Sequence, residues 1–359
     1  MQFLPTDQQD RLRARARAFL AEVAPSTEVR RLMESPLGFD LDVWLRMADD
    51  HELHGLHLPE AVGGSGLGWV EQAIVLEEAG RALLCAPYLA TVTAAPFLPD
   101  DVQAAVAGGL CIATLAAAEA SGRWDAASVE TRAIRSAGGA WRLEGEKSYV
   151  VDGCVADVLV VAARPEGGDG AALFMVDAAG AGVDREPLAT VDLTRRQARV
   201  RLSATPARLL PGTLAEAVDL CVVALAAEQV GGAGRALEMA LDHARRRVQF
   251  GRPIGSFQAV KHLCADMLLD LESARGAAFA AAVAAGEAPD DLPAAAAVAK
   301  ACCSEAYVRV ASDSLHVHGG LGVTWDHDAH LYFKRARSSQ LLFGDPGWHR
   351  DRLAGLLGL

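Results

Sequence analysis

The chain has 359 residues, of which 51% are hydrophobic and 22% are charged, and its formal net charge is −12. This composition is typical of a globular protein rather than a disordered one, and the length exceeds what one hydrophobic core usually supports, so we expect two or three packed domains. The acidic charge argues against nucleic-acid binding and against a basic membrane-surface patch.

The seven cysteines are scattered and include no C-x-x-C pair, so neither a zinc site nor a disulfide framework is predicted. They are typical of buried thiols in a reducing compartment, which favours a cytoplasmic protein. The N-terminus shows no signal-peptide pattern, and no apolar run reaches the length of a membrane span. The alanine-rich run 277–301 is broken by acidic residues and prolines and predicts two helices of a water-soluble protein.

From Thr6 to about Phe97 the pattern is helical, with Thr6 or Asp7 as the N-cap of the first helix. The apolar residues of that helix recur on one face, which comprises Leu12, Ala16, Phe19, Leu20 and Val23. Between about residues 110 and 210 the pattern changes to short β-branched runs between turns, which predicts a small antiparallel β domain. The runs are 141–143, 155–163, 171–176 and 198–202.

A second helical region begins at about Leu214 with a long predicted helix, 214–250, that contains Gly231, Gly232 and Gly234. Each glycine inside a helix costs roughly 1 kcal/mol relative to alanine, so we expect another backbone or a cofactor to approach closely there. A helix from Ser256 and an alanine-rich pair separated by a turn at 286–293 would complete a four-helix bundle. The whole pattern predicts a mainly α protein with an inserted β domain: an N-terminal helical domain (1–109), a middle β domain (110–212) and a C-terminal helical bundle (213–359).

The segment Arg247 to Gln258 reads R-V-Q-F-G-R-P-I-G-S-F-Q. Gly251-Arg252-Pro253 is predicted to break one helix and Ser256 to start the next, so the segment forms a corner between helices. Its mixture of cation, amide, aromatic and glycine suits a phosphate-bearing cofactor with a ring. Taken by itself, the segment also fits an ordinary helical hairpin with solvated arginines.

R-x-Q-F-G-x-P-I-x-x-F-Q resembles the signature that opens the C-terminal domain of the acyl-CoA dehydrogenases, where it reaches an FAD across a subunit interface. The resemblance implies that Arg247 and Gln249 approach the pyrophosphate and adenosine half of FAD. The other members of this cofactor patch would be Phe250, Gly251, Phe257 and Gln258.

A second segment, 316–324, reads H-V-H-G-G-L-G-V-T and resembles the family's Q-x-H-G-G-x-G-x-T. The glycines let bare main-chain N–H groups approach phosphate oxygens, and the resemblance implies that Gly319 and Gly320 meet the pyrophosphate. His316 replaces the family's glutamine and can supply one donor. The H-x-H pair also allows a metal site, but helix capping and surface polarity near 325–337 are favoured, so no metal is predicted.

Two further segments, Ala118 to Asp125 and Lys147 to Val151, resemble those that cover the flavin ring in the family. Both lack a family threonine, because Ala118 and Val151 stand at those positions. Tyr149 would either flank the flavin ring or be a half-buried strand aromatic; the residues leave both open.

Removing the α-proton of an acyl thioester while hydride leaves the β-carbon requires a carboxylate near the flavin. The resemblance places Phe343 at the position of the family's usual glutamate. Glu228 and Asp345 are the remaining candidates, although an interface or solvent-paired role is favoured for each.

The resemblance therefore implies FAD-dependent α,β-dehydrogenation of an acyl-CoA or acyl-carrier thioester, with electrons passed to an electron-transferring flavoprotein. The chain keeps the two motifs, 247–258 and 316–324, that reach FAD across a subunit interface in the family, but it has lost the groups that face the flavin. This favours a base-deficient subunit, one without the catalytic glutamate, in a hetero-tetramer with a sister acyl-CoA dehydrogenase. One alternative is an autonomous homotetramer that uses Glu228 or another carboxylate. The other is a non-catalytic structural or binding subunit.

Overall fold

The computed structural model describes residues 6–136, 138–168 and 170–359. Residues 1–5, which belong to the predicted domain 1–109 and to the region searched for a signal peptide, lie outside the described residues. The N-terminal helices are α1 (Asp7–Val23), α2 (Ser26–Glu34), α3 (Leu41–Asp49), α4 (Trp69–Ala82), α5 (Tyr88–Ala94) and α6 (Asp100–Ala107).

Helix α1 begins as predicted, with Thr6 as its N-cap. Gln9 N donates to Thr6 Oγ1 over 3.2 Å, and Thr6 N donates to Gln9 Oε1 over 2.9 Å, so two otherwise unpaired amides are satisfied reciprocally. The predicted apolar face of α1 is buried along its whole length.

The strands of the middle region are β1 (Ala113–Ala116), β2 (Arg132–Arg135), β3 (Trp141–Val151), β4 (Val158–Pro165), β5 (Ala172–Asp177), β6 (Val183–Pro187) and β7 (Gln197–Leu209). They run in the order β1-β4-β2-β3-β7-β5, and β6 pairs with β7 outside this order. Strand β5 also pairs with β4, so the sheet closes on itself. The sheet is mainly antiparallel, as predicted, but β4 runs parallel to β1 and β2. Closure leaves the apolar centres of β4 and β5 buried.

The C-terminal region contains α7 (Leu214–Arg246), β8 (Val248–Gln249), β9 (Arg252–Pro253), α8 (Gln258–Glu287), α9 (Leu292–His318), α10 (Ala329–Leu341) and α11 (Pro346–Leu356). The mainly α fold with an inserted β domain is confirmed. The predicted helix from Ser256 and the first helix of the alanine-rich pair are in fact one continuous helix, α8, because no proline interrupts residues 258–287, and α9 is the second helix of that pair.

One predicted helix boundary was wrong. The helix predicted over 214–250 ends at Arg246, because Phe250 (φ 52°) and Gly251 (φ 77°) form the two-residue turn of a hairpin between β8 and β9. Consecutive residues with positive φ suit a hairpin turn and cannot continue a right-handed helix. The helix start expected within 325–337 lies at Ala329; Asp328 precedes it and makes no N-cap hydrogen bond, and its carboxylate accepts from Arg30 instead.

The structure divides into two compact units. One contains the described part of Met1–Arg31 together with Trp69–Leu84 and Val222–Leu359, and the other contains Leu32–Gly68 and Cys85–Cys221. In the part of the chain that the structure describes, no helix is both long enough and apolar enough to cross a membrane.

In the first unit, α4 and α7 pack with their backbones in contact. A Cβ atom at Gly231 would overlap the carbonyl oxygen of Glu77, and one at Gly80 would overlap that of Glu228. A Cβ atom at Gly232 would overlap the ring of Tyr307 on α9. Close approach by α4 and α9 therefore explains two of the three glycines in α7, as the helix pattern led us to expect.

We predict that Gly231→Ala lowers the free energy of unfolding by about 1–3 kcal/mol, because α4 must move away from α7 to admit the methyl group. Gly276→Ala is the matched control, since a Cβ atom at this helical position meets open space. The control should raise the free energy of unfolding by about 0.5–1 kcal/mol. Urea unfolding of both variants tests this, and equal stabilisation by the two alanines would contradict the packing described above.

Candidate functional site

The hairpin that follows α7 projects an aromatic and cationic tip from the first unit. Phe250 is 90% exposed, and its ring centroid lies 6.0 Å from that of Phe257. The guanidinium carbon of Arg252 lies 4.2 Å from the Phe257 ring centroid, while Arg247 and Gln249 are exposed. An exposed aromatic beside cations marks a binding surface rather than a core.

The glycine turn follows α9 directly. Gly319 adopts a positive φ of 60°, and Cβ atoms at Gly319 and Gly320 would meet nothing within 4 Å. The exposed main chain of this turn is therefore accessible to a ligand. His316 is exposed, and its Nδ1 lies 3.7 Å from Asp313 Oδ1.

The two loops leave the helical bundle at the same end. The rings of His243, in the last turn of α7, and His318, at the end of α9, have their centroids 4.6 Å apart. The next ring, His327, lies 4.2 Å from His318. This contact places the start of the hairpin beside the start of the glycine turn. Of the predicted cofactor residues, all but Tyr149 belong to these two loops, to the last turn of α9 or to the start of α8.

Tyr149 lies in the second unit, at a bulge in the pairing of β3 with β7. The register shifts between Lys147 and Val150, and Tyr149 has a φ of 59° and is partly exposed. A bulge of this kind redirects a side chain out of the regular alternation. The ring of Tyr149 lies 3.8 Å from the position of a Cβ atom at Gly122, so it covers the turn of the segment that includes Ala118.

A buried ion pair, which sequence reasoning missed, joins these two segments of the second unit. Lys147 Nζ lies 2.8 Å from Glu119 Oε1 and donates to Ala117 O over 3.0 Å. Glu119 also accepts from the backbone N–H groups of Glu130 and Thr131 and from the Thr131 hydroxyl. The signal was present in the sequence, because the alternation of β3 places Lys147 on the same face as the buried Leu143.

The electrostatics of this pair follow from burial. Burial lowers the pKa of Lys147 to about 8, although Glu119 opposes the shift. Burial by itself would raise the pKa of Glu119, but hydrogen bonding and charge from Lys147, with the bonds from Thr131, outweigh it and lower that pKa. The carboxylate is therefore held as an anion that anchors the loop to the strand.

The two candidate bases in the first unit are both engaged. Glu228 is 6% exposed and forms an ion pair with Arg335 of α10, which is 3% exposed. Asp345 caps α11 by accepting from Trp348 N over 2.8 Å. Phe343 is buried and, like Gly344, has a positive φ.

The segment that includes Phe343 is fixed from two sides, by residues that sequence reasoning missed. Lys300, which is fully buried in α9, donates to Ser339 O over 3.0 Å and to Gln340 O over 2.9 Å. Burial lowers the pKa of His349 to about 4, so its ring is neutral, and its Nε2 donates to Phe343 O over 2.8 Å. A lysine within the otherwise apolar run 292–303 was the available sequence signal for Lys300.

No group of three or more His, Cys, Asp or Glu side chains within residues 6–136, 138–168 and 170–359 is arranged to hold a metal ion. The H-x-H pair instead splits, with His316 exposed and His318 buried against His243.

Comparison with known proteins identifies the family. Models of the acyl-CoA dehydrogenase N-terminal, middle and C-terminal domains match residues 6–98, 114–201 and 216–357. Acyl-CoA dehydrogenase IpdE2 of Mycobacterium tuberculosis is 36% identical over 343 residues, which cover 95% of both chains. The chain belongs to the acyl-CoA dehydrogenase family.

Members of the acyl-CoA dehydrogenase family are flavin oxidoreductases, and solved structures agree with the assignment. A chain of the ChsE4-ChsE5 complex from Mycobacterium tuberculosis superposes with a TM-score of 0.91 at 31% identity, covering 100% of this chain and 99% of that one. A chain of the Tcur3481-Tcur3483 steroid ACAD G363A variant gives a TM-score of 0.91 at 32% identity, with 98% of each chain covered.

We predict that Lys147→Met lowers the free energy of unfolding by about 3–5 kcal/mol, because it leaves Glu119 as a buried charge without its cation. Arg201→Met, on the neighbouring strand β7, is the control: it removes exposed pairs with Glu146, Asp184 and Glu186, and should cost far less. Thermal unfolding of the two variants measures the difference. Equal losses would show that the buried pair does not anchor the segment.

Proposed function

We propose that this chain is the FAD-binding, base-deficient subunit of a hetero-oligomeric acyl-CoA dehydrogenase. The observation that carries the proposal is a contrast within the first unit. The two cofactor loops are open and exposed at one end of the bundle, whereas a phenylalanine occupies the position of the usual base, and both nearby carboxylates are engaged by other groups.

The two loops have the chemistry that a dinucleotide diphosphate requires. The Arg247 guanidinium and the Gln249 amide are charged and neutral donors, and the main chain at Gly319 and Gly320 is not covered by side chains. The remaining residues of the proposed FAD patch are Phe250, Gly251, Phe257, Gln258 and His316. Tyr149 is proposed to flank the flavin ring. Bound FAD would supply the hydride acceptor.

Glu228 is a poor candidate for the base. To accept a proton it would have to give up its ion pair with Arg335, and breaking a buried pair costs about 3–5 kcal/mol. The homotetramer that relies on Glu228 is therefore disfavoured. A sister subunit with its own glutamate would supply the base, which agrees with similarity to chains of two-component complexes.

The proposed substrate is an acyl-CoA or acyl-carrier thioester, and electrons would pass to an electron-transferring flavoprotein. The similarity to a protein described as a steroid ACAD makes steroid thioesters the first compounds to test. A cytoplasmic location fits this chemistry.

Arg247→Ala should reduce FAD retention at least about tenfold, because one charge-assisted contact to phosphate is worth about 1.5–3 kcal/mol. Arg245→Ala is the matched control, since Arg245 is an exposed arginine at the same end of α7, with only a distant pair to Asp242. Flavin absorbance after gel filtration of the assembled complex measures retention. Unchanged flavin content in Arg247→Ala would contradict the proposed cofactor patch.

The Glu228→Gln variant distinguishes the two hypotheses, a base-deficient subunit and an autonomous enzyme that uses Glu228. If a sister subunit supplies the base, turnover of the mixed complex should change little, because glutamine can still accept a hydrogen bond from Arg335. If Glu228 is the base, turnover should fall by about a hundredfold or more.

The isolated chain gives the complementary measurement. We expect it to be unable to oxidise an acyl-CoA by itself and to gain activity on mixing with a sister subunit. Bleaching of flavin by an acyl-CoA with the isolated chain would favour the homotetramer, and failure to bind flavin under either condition would favour the non-catalytic subunit.

A further inference from the structure

Three imidazole rings, His243, His318 and His327, lie against one another at the end of the bundle from which both cofactor loops leave, with neighbouring ring planes tilted by 39° and 43°; we call this group the histidine stack. We propose that this histidine stack is a positioning device that holds the two loops in register, and that it does so only while its rings are uncharged. The consequence is pH-dependent release of FAD, which rests on the proposed function.

The stack connects three separate elements. His243 belongs to α7, four residues before Arg247, and His318 immediately precedes Gly319. His327 lies in the segment between the glycine turn and α10. The ring centroids of His243 and His318 lie 4.6 Å apart, and those of His318 and His327 lie 4.2 Å apart, so each ring limits the position of the next. A shift of any one ring therefore alters the spacing between the hairpin and the glycine turn.

Hydrogen bonds define the neutral form of the rings. His318 Nδ1 lies 2.7 Å from Ser314 O, so this nitrogen donates and Nε2 holds the lone pair. His318 is 5% exposed, and its Nε2 is buried with no hydrogen-bond partner among the described residues. His327 Nδ1 accepts from Ala329 N over 3.1 Å. A proton added to His318 would thus be a buried charge; the backbone groups of Ser314 and Met239 favour it, but burial outweighs them and lowers the pKa of His318.

Carboxylates around the stack offset such a charge only in part, because Asp328 raises the pKa of His327 while burial lowers it by more. A cavity of about 460 Å³ opens beside the rings. The charged residues that line it are Arg30 from α2, Arg235, Asp242 and Arg246 from α7, and Asp326 and Asp328 from the segment with His327. Asp328 binds Arg30 over 2.6 Å, and Asp242 lies 3.5 Å from Arg246, so two of these carboxylates already neutralise arginines. Arg247 adds a further positive charge near His243.

The direction of the pH effect follows from burial. Burial lowers the pKa of each ring, and His318 and Arg247 lower that of His243 further. An opened stack titrates near the ordinary imidazole pKa of about 6.5, so it binds protons more readily than the closed one. The stabilisation is therefore complete above about pH 6.5 and is lost progressively as the pH falls below that value.

The test measures FAD release from the flavin-loaded assembly between about pH 8 and 5. The wild-type release rate should rise at least about tenfold on passing from neutral to acidic pH. His243→Phe retains a stacking ring but cannot be protonated, so it should hold FAD normally at neutral pH and show a flatter pH profile. His243→Ala, which removes the ring, should release FAD faster at every pH.

A pH profile for His243→Phe identical to that of the wild type would overturn the proposal, because a purely structural ring would behave in that way. Hydrogen exchange of the amides of 315–323 gives a second readout that does not require flavin. Loss of protection at acidic pH in the wild type, but not in His243→Phe, supports the stack whether or not the chain binds FAD. Failure to bind FAD would refute the proposed function and leave this result for the stack unaffected. Protection that does not depend on pH would refute the stack.

Discussion

The backbone contact between α4 and α7 is the constraint on which the first unit depends. Gly80 and Gly231 let the two helices approach until the main chain of one meets the Cα positions of the other. With α7 fixed in this way, its other side chains meet defined partners: Gln229 bonds Ser304 of α9 over 3.0 Å, and Glu228 pairs with Arg335 of α10. This packing therefore fixes the positions from which the hairpin after α7 and the glycine turn after α9 leave the bundle.

The same packing assigns a structural role to groups whose chemistry would suit catalysis. Glu228 neutralises an arginine in the interior, and Asp345 satisfies the first turn of a helix. Lys300 and His349 bind main-chain oxygens on either side of the Leu342 position, and so keep the segment with Phe343 in one conformation. The segment that the family resemblance aligns with the usual base is therefore held in one conformation, although it presents Phe343. This combination is what we expect of a subunit that works beside a complete one.

In the second unit, the segments that resemble the flavin-covering parts of the family are also held firmly. The Glu119–Lys147 pair ties one segment to the strand that contains the other. Tyr149 then leaves the strand at a bulge, with a backbone conformation that few side chains adopt. Such local strain persists where the surrounding structure determines it strongly, and here it directs an aromatic ring toward the Gly122 turn.

The sequence by itself determined the succession of helical, β and helical regions, the Thr6 cap and the two motifs that resemble those of the family, and it predicted that Phe343 replaces the usual base. Each of these features can be recognised from residues that are close together in the sequence, by their periodicity, their turn residues or the spacing of a motif. Only the tertiary structure decided that the Arg247 loop is a hairpin rather than a helix end, that Glu228 is bound by Arg335, and that Lys147 meets Glu119. It also decided that three distant histidines stack. Glu119 and Lys147 lie 28 residues apart, Glu228 and Arg335 lie 107 apart, and His243 and His318 belong to different helices, so no local pattern could have paired these residues. Periodicity shows which face of an element is buried, but which residue it meets there depends on how the elements pack.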